Sequence, residues 1–260
     1  MIVGLLAPSG HLIGLICGGL LVGLLVGLTG TGGGAVLTPV LILIFGVPPV
    51  AAVGTDLAAS LVMKPVGGLV HLHHRTVRLD VVGWLAAGSV PGAFVGAWLF
   101  GRPDSPLTKL VEPLIGVALI ATAVVMIVGR HRAEGGGEHP ALRARSTALL
   151  GLAGGLAVGA TSVGSGSLMI VALTLLYPGL TNAELVGTDL VQAIPLVAAA
   201  TLGHLMFGTI RFGVTGALLV GAVPGVYFGA RLSVRHSGRL ARGALVVVML
   251  GSGIKLLWAL

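Results

Sequence analysis

The sequence predicts an all-α integral membrane protein built from two inverted-topology repeats, each a glycine-tipped helix pair, re-entrant or spanning, plus three transmembrane helices. Three observations carry this. The chain is 55% hydrophobic and 9% charged, with a mean hydropathy of +1.07, whereas a soluble domain has about a quarter of its residues charged. Its apolar runs are continuous rather than alternating and are split by short basic loops, which favours spanning helices over a β-barrel. Finally, the chain repeats itself. Gly54-Thr55-Asp56-Leu57 returns as Gly187-Thr188-Asp189-Leu190, 133 positions on, and at that shift His71-Leu72 meets His204-Leu205, Thr76-Val77-Arg78 meets Thr209-Ile210-Arg211, and Val90-Pro91-Gly92 meets Val223-Pro224-Gly225. The upstream glycine-rich blocks, Gly27 to Gly34 and Gly159 to Gly166, align at a shift of 132, so one residue is inserted between the two sets of matches. Homologous hydrophobic halves with glycine-rich breaks are the pattern of secondary transporters.

Ten apolar segments follow in order: 11–28, 33–46, 52–73, 79–100 and 108–128, then 147–160, 164–177, 184–206, 212–231 and 239–258. Crossing about 30 Å of hydrocarbon takes about 20 helical residues. Segments 33–46, 147–160 and 164–177 fall short of that. The simplest arrangement is a hairpin whose glycine tip stays within the membrane, where irregular backbone survives only if buried or lining a cavity. Residues 1–128 form the first membrane repeat, 129–146 a linker and 147–260 the second repeat.

Each half then crosses an odd number of times, so the second is upside down relative to the first. Alternation gathers Arg75, Arg78, Arg130, Arg132, Arg143, Arg145, Arg231, Arg235, Arg239 and Arg242 on one face and leaves Arg102, Lys109, Arg211 and Lys255 on the other. The excess marks the first face, with the linker, as cytoplasmic and puts both termini outside. The same topology accounts for the net charge of +7 without nucleic acid, since aromatic residues make up only 4%. Cys17 is the single cysteine, which excludes an internal disulfide and any cysteine-based metal or redox motif. Residues Met1 to Leu12 lack the basic start and cleavage site of a removable signal peptide.

Two groups of residues are candidates for chemistry. The tips Thr29, Gly30, Thr31, Gly32, Gly33 and Gly34, and Thr161, Ser162, Gly164, Ser165 and Gly166, each precede an apolar helix. Free N–H groups, dipole ends, small hydroxyls and the absence of bulk make facing cradles for an anion. Close helix packing through small residues is the alternative. The Gly30 to Ala35 spacing also fits a dinucleotide fingerprint, but no strand–helix–strand context exists for it.

Asp56, Ser60 and Lys64 recur every four residues and so share one helix face, with His71 close to the same stripe. In the second half Asp189 and His204 persist, Gln192 lies near the stripe, and Val197 replaces Lys64. Intramembrane ionisable groups are costly and face cavities or one another. The aspartates fit either helix-start hydrogen bonding or proton exchange, and the histidines either the interface or a proton path. Lys64 lies mid-segment, where it cannot snorkel; it either neutralises Asp56 through Ser60 or attracts an anion. Pro91 and Pro224 occupy equivalent positions, so a bend or hinge belongs to the repeated unit. No nucleotide-binding lysine loop, HExxH or Cys/His ligand set occurs, and no cofactor is expected.

Taken in order, Gly30-x-Gly32-Gly33-Gly34, Pro39, Val47 to Thr55, His73-His74-Arg75-Thr76-Val77-Arg78-Leu79-Asp80 and Gly88-Ser89-Val90-Pro91-Gly92 resemble the sulfite exporter TauE/SafE family, also called the toluene sulfonate uptake permease family. The resemblance covers nearly the whole chain. It implies a bacterial or organellar membrane carrier of small sulfur-containing anions such as sulfite and organosulfonates. This chain departs from the family pattern in carrying Asp56 and Asp189 where serine is expected, and with Lys64 these mark an Asp/Lys branch.

The expectation is therefore a secondary transporter of the bacterial inner membrane, not an enzyme. It exports sulfite, thiosulfate or an organosulfonate by alternating access with proton coupling through Asp56, Asp189, His71 or His204. Its partners are the anion, protons and the bilayer, without nucleic acid. An anion channel and an importer of a sulfur oxyanion are the alternatives, the former distinguished by single-molecule conductance.

Overall fold

The computed structural model describes residues 8–29, 33–102, 104–128, 141–207, 210–235 and 239–258. They form ten α-helices and one 3-10 turn, with no strand among them. The first half gives α1 (Pro8–Thr29), α2 (Gly34–Leu43), α3 (Pro49–His73), α4 (Leu79–Phe100), the 3-10 turn Pro106–Leu110 and α5 (Val111–Val128). The second gives α6 (Ala144–Thr161), α7 (Ser167–Leu176), α8 (Asn182–Met206), α9 (Phe212–Arg235) and α10 (Arg239–Trp258). Each predicted segment is one helix. α6 is longer than its apolar stretch, because the polar run Ala144-Arg145-Ser146 adds a first turn. Six helices are long and apolar enough to cross a membrane. Side chains such as Leu21, Val117, Leu149, Val220 and Val247 are exposed all round the bundle, a surface only lipid can cover. The chain is an all-α, multi-pass membrane protein.

Glycine settles how the helices meet. An added Cβ at Gly88, Gly92 or Gly96 of α4 would strike the carbonyls of Ala148, Leu152 and Leu156 in α6, and Gly151, Gly155 and Gly159 answer from α6 against Leu85, Ser89 and Ala93. The same ladder joins α1 to α9, with Gly19 and Gly23 on Leu218 and Ala222, and Gly221, Gly225 and Gly229 on Ile16, Leu20 and Leu24. Contacts rise together along both helices, so each pair runs parallel with backbone on backbone. Small residues four apart permit that approach, and it supplies van der Waals and Cα–H···O contact where the lipid offers no hydrophobic drive.

These ladders also orient the halves. α4 and α6 start at one end of the bundle, which gathers Arg75 and Arg78 with Arg143 and Arg145. Thr55, near the start of α3, accepts the Arg211 N–H before α9 at 3.3 Å, and Thr188, near the start of α8, accepts the Arg78 N–H before α4 at 3.1 Å. α3 therefore begins at the end where α9 begins, and α8 where α4 begins. Corresponding helices of the two halves run in opposite directions. Residues 129–140 of the expected linker, including Arg130 and Arg132, lie outside the described residues.

The short helices close hairpins. At the end of α7, the Tyr177 hydroxyl shares a hydrogen bond with Thr147 at 2.5 Å and accepts the Arg143 N–H at 3.1 Å, both at the start of α6. Phe45, just past α2, packs beside Gly14 and Gly18 of α1. Ten residues each, α2 and α7 are about 15 Å long, half the hydrocarbon thickness. The two hairpins enter from opposite ends of the bundle and meet inside it.

Replacing Gly92 or Gly225 by valine is expected to force the ladder apart and destabilise the fold by at least about 1–3 kcal/mol. Gly83→Ala and Gly216→Ala, where an added Cβ meets nothing within 4 Å, leave it intact. Thermal unfolding of detergent-purified variants checks both outcomes.

Candidate functional site

The meeting point of the hairpins is built from backbone first. A Cβ on Gly34 would collide with the Ser162 carbonyl of the other tip, and one on Gly33 would lie 3.1 Å from Asp56 Oδ1, Ser60 Oγ and Met63 Cε. Only glycine lets these segments pass. In the second tip Ser162, Gly164 and Gly166 take φ of +60°, +114° and +121°, a left-handed region cheap for glycine and rare for serine. The hydroxyls of Thr29 and Thr161 bond back to Leu25 and Ala157 carbonyls at 2.7 Å each, closing the last turns of α1 and α6. Gly30, Thr31 and Gly32 lie outside the described residues. The tips differ in length: residues 30–33 link α1 to α2, and residues 162–166 link α6 to α7. The helix starts therefore correct the repeat alignment: the inserted residue lies within the second tip rather than after it, and Gly34 pairs with Ser167 rather than with Gly166.

Side chains from both halves converge on this backbone. Asp56, 1% exposed, accepts from Thr38 Oγ1 at 3.0 Å and from Ser60 Oγ at 3.5 Å, and Ser162 also hydrogen-bonds to it. Thr38 and Ser162 share a hydrogen bond of 2.5 Å across the halves. Lys64, 5% exposed, turns away from Asp56 and donates to Ser165 Oγ at 2.8 Å. Among the described residues no carboxylate comes within 4.0 Å of its ammonium, although its charge acts on both Asp56 and Asp189. The Asp56–Ser60–Lys64 stripe is thus one face, as its spacing requires, but Ser60 does not bridge the other two.

Asp189 is equally buried, and its partner is Gln192 Nε2 at 3.2 Å. Gln192 Oε1 in turn accepts from Ser89 Oγ at 3.2 Å. Gln192 is therefore engaged at both ends of its amide and holds the second carboxylate. The histidines sit apart from the tips. His204 Nε2 donates to the Gly159 carbonyl at 2.9 Å, while His71 Nδ1 and the Thr76 hydroxyl share a bond of 2.8 Å near the Arg75–Arg78 turn. Of the singled-out residues described, Gly33, Gly34, Ser162, Ser165, Lys64 and Asp56 are brought together; the Gln192–Asp189 pair forms a second, adjoining cluster. Thr38, Ser89 and Ser167 were missed. Thr38 carried a signal, as a lone hydroxyl one turn into a short apolar helix. The open cavity of about 560 Å³ lined by Arg102, Asp104, Ser105, Pro106 and Phe207 touches none of these residues.

A buried ammonium, two buried carboxylates and a set of small hydroxyls around two helix starts can hold an anion and exchange a proton. Among known proteins, the chain is 36% identical over 254 residues to a Bacillus subtilis (strain 168) protein named "Probable membrane transporter protein YjnA", covering 94% of this chain and 99% of that one. A second from the same organism, "Probable membrane transporter protein YdhB", is 24% identical over 242 residues, covering 92% and 97%. A Xylella fastidiosa (strain Temecula1 / ATCC 700964) "Probable membrane transporter protein" is 25% identical over 243 residues, covering 92% of each chain. No solved structure matches significantly. The family model described as "Sulfite exporter TauE/SafE" matches residues 15–256. Extending through both hairpins and all ten helices, that match makes the chain a member of the sulfite exporter TauE/SafE family of membrane transporters.

Proposed function

We propose that the protein is a secondary carrier, not an enzyme, that moves a small sulfur-containing oxyanion out of the cell across the bacterial cytoplasmic membrane. The observation that carries this is Lys64, a buried ammonium of the first half that reaches the glycine tip of the second. A cation placed there, beside helix starts with spare N–H groups, suits a compact anion better than any neutral solute. Sulfite, thiosulfate and organosulfonates share the tetrahedral or pyramidal oxygen arrangement that several small donors can satisfy at once. The family's description favours sulfite.

Hairpins entering from opposite ends, on oppositely directed halves, suit alternating access: each end opens toward the shared tips in turn. Two membrane repeats, 1–128 and 147–260, would rock about that contact, with the 129–146 linker inside and both termini outside. The anion would be met where the two tips, Thr29 to Gly34 and Thr161 to Gly166, face each other, and Lys64 would supply the charge. Three buried charges of unequal sign invite proton coupling, because an entering anion is repelled by any carboxylate that stays ionised and unpaired. Asp189, held by a single amide, is the better carrier of that proton. Asp56 sits in three hydroxyls, and His71 and His204 are committed to Thr76 and to the Gly159 carbonyl.

Three outcomes test this. Lys64→Ala is expected to weaken sulfite or thiosulfate binding by about 10–100-fold, the worth of a charged hydrogen bond, as read by calorimetry on folded protein. Gly33→Leu and Gly166→Leu are each expected to abolish uptake into inverted vesicles while inserting normally; full transport by both would sink the tip model. Asp189→Asn is expected to keep anion binding but lose accumulation driven by an imposed pH gradient. Single-molecule conductance in planar bilayers would instead identify a channel.

A further inference from the structure

The two tips are not equivalent, and their differences fall on the residues that would meet an anion. In the first, the Asp56 carboxylate lies against the opening turn of α2. An added Cβ on Gly33 or Gly34, the residues that start that helix, would be 3.1 Å from Asp56 Oδ1 or Oδ2, and Thr38 of the same helix donates to it. One of the protein's own carboxylates therefore already lies beside this helix start, held there by the hydroxyls of Thr38, Ser60 and Ser162. The sequence fixes this on one side only. At the 133-position shift Thr38 becomes Val171 and Ser60 becomes Ala193, so Asp189 has neither hydroxyl to draw it onto α7 and bonds to Gln192 instead.

At α7 the opposite holds. Ser167, the first residue of this ten-residue helix, is 7% exposed, and its hydroxyl has no hydrogen-bond partner among the described residues. An orphaned buried hydroxyl costs about 1–3 kcal/mol unless something fills its need. Two residues upstream, Ser165 receives the Lys64 ammonium, and among the described residues Ser165 is the acceptor that ammonium reaches. An ammonium offers three donors. The second tip is also one residue longer, with glycines at positive φ flanking Ser165. Among the described residues, a hydroxyl without a partner, a positive charge without a carboxylate in contact and a longer turn coincide at one helix start.

Building on the carrier reading above, we propose that the transported oxyanion seats at the start of α7 alone, one per chain, held by Lys64 Nζ, the Ser167 hydroxyl and the first N–H groups of α7, while Asp56 permanently occupies the equivalent seat at α2. The cradles are thus one resident and one exchangeable. Asp56 serves as the fixed counter-charge that keeps Lys64 charged between cycles, and the substrate is the second negative partner that Lys64 lacks.

Titrating the purified full chain with sulfite, and co-crystallising it with selenite as an anomalous scatterer, tests the seat. The expected result is one sulfite per chain and a selenium peak beside Ser165 and Ser167, with none beside Gly34. Ser167→Ala is expected to weaken sulfite about 3–10-fold, the range for one neutral hydrogen bond. Ser167→Asp, which installs a carboxylate where α2 already has one, is expected to abolish binding in protein that still unfolds cooperatively. Two anions per chain, a peak at the α2 start, or unchanged affinity in both Ser167 variants would overturn the seat while leaving the carrier intact. Wild-type protein that binds none of sulfite, selenite, thiosulfate and an organosulfonate would instead overturn the carrier reading, and the seat with it.

Discussion

Everything inside this bundle depends on the two parallel helix crossings, α4 on α6 and α1 on α9, where backbone lies directly on backbone. A polar interior in a membrane has to be assembled without help from the hydrophobic effect, because lipid tails are as apolar as leucine. Contact distance is the remaining lever, and glycine every fourth residue sets it to its minimum. The crossings bring α6 close enough for its tip to reach α2 and α3, and they hold the ends of both hairpins against the same scaffold. The second hairpin is tied at its base as well, through Tyr177 to Thr147 and Arg143. The reciprocal bonds from Arg78 to Thr188 and from Arg211 to Thr55 then fix α8 and α3 between them.

Within that frame the polar residues form two unequal groups. Asp56 gathers hydroxyls from α2, α3 and the opposite tip, and Asp189 depends on an amide that itself leans on Ser89 of α4. Lys64 belongs to the first half by sequence and to the second by contact. Leaving an ammonium buried without a touching carboxylate is expensive, and the surrounding hydroxyls offset only part of that cost. On the carrier reading proposed above, that charge is what an anionic guest would meet, and burial would strengthen the interaction.

Much of this was legible in the sequence. Apolar run lengths located all ten helices, because hydrocarbon thickness and helical rise leave little freedom. The repeat announced oppositely directed halves, and the four-residue spacing of Asp56, Ser60 and Lys64 placed them on one face. What spacing within a single helix cannot carry is the partner across the interface. Lys64 reaches Ser165 rather than Ser60, and Thr38 meets Ser162, because the hairpins enter from opposite ends and bring residues more than a hundred positions apart into contact. Gln192 lies near the stripe by spacing, but its two partners, Ser89 and Asp189, could not be read from that spacing. The glycine ladders were present in the sequence as Gly88, Gly92 and Gly96 and their counterparts; only the packing revealed that they are the joints.

The extra residue of the second tip shows how a duplicated chain can diverge without losing its frame. One residue added inside a helix rotates everything after it by about 100°, which would have swung the glycines of α9 off α1 and scattered the polar stripe of α8. Placed in the turn between α6 and α7, it was absorbed by positive-φ backbone. The correspondence simply steps from 132 to 133 positions and then holds through Gly92 and Gly225. Turns are thus the joints at which one copy of the unit was free to change length while both copies kept the same mechanical register.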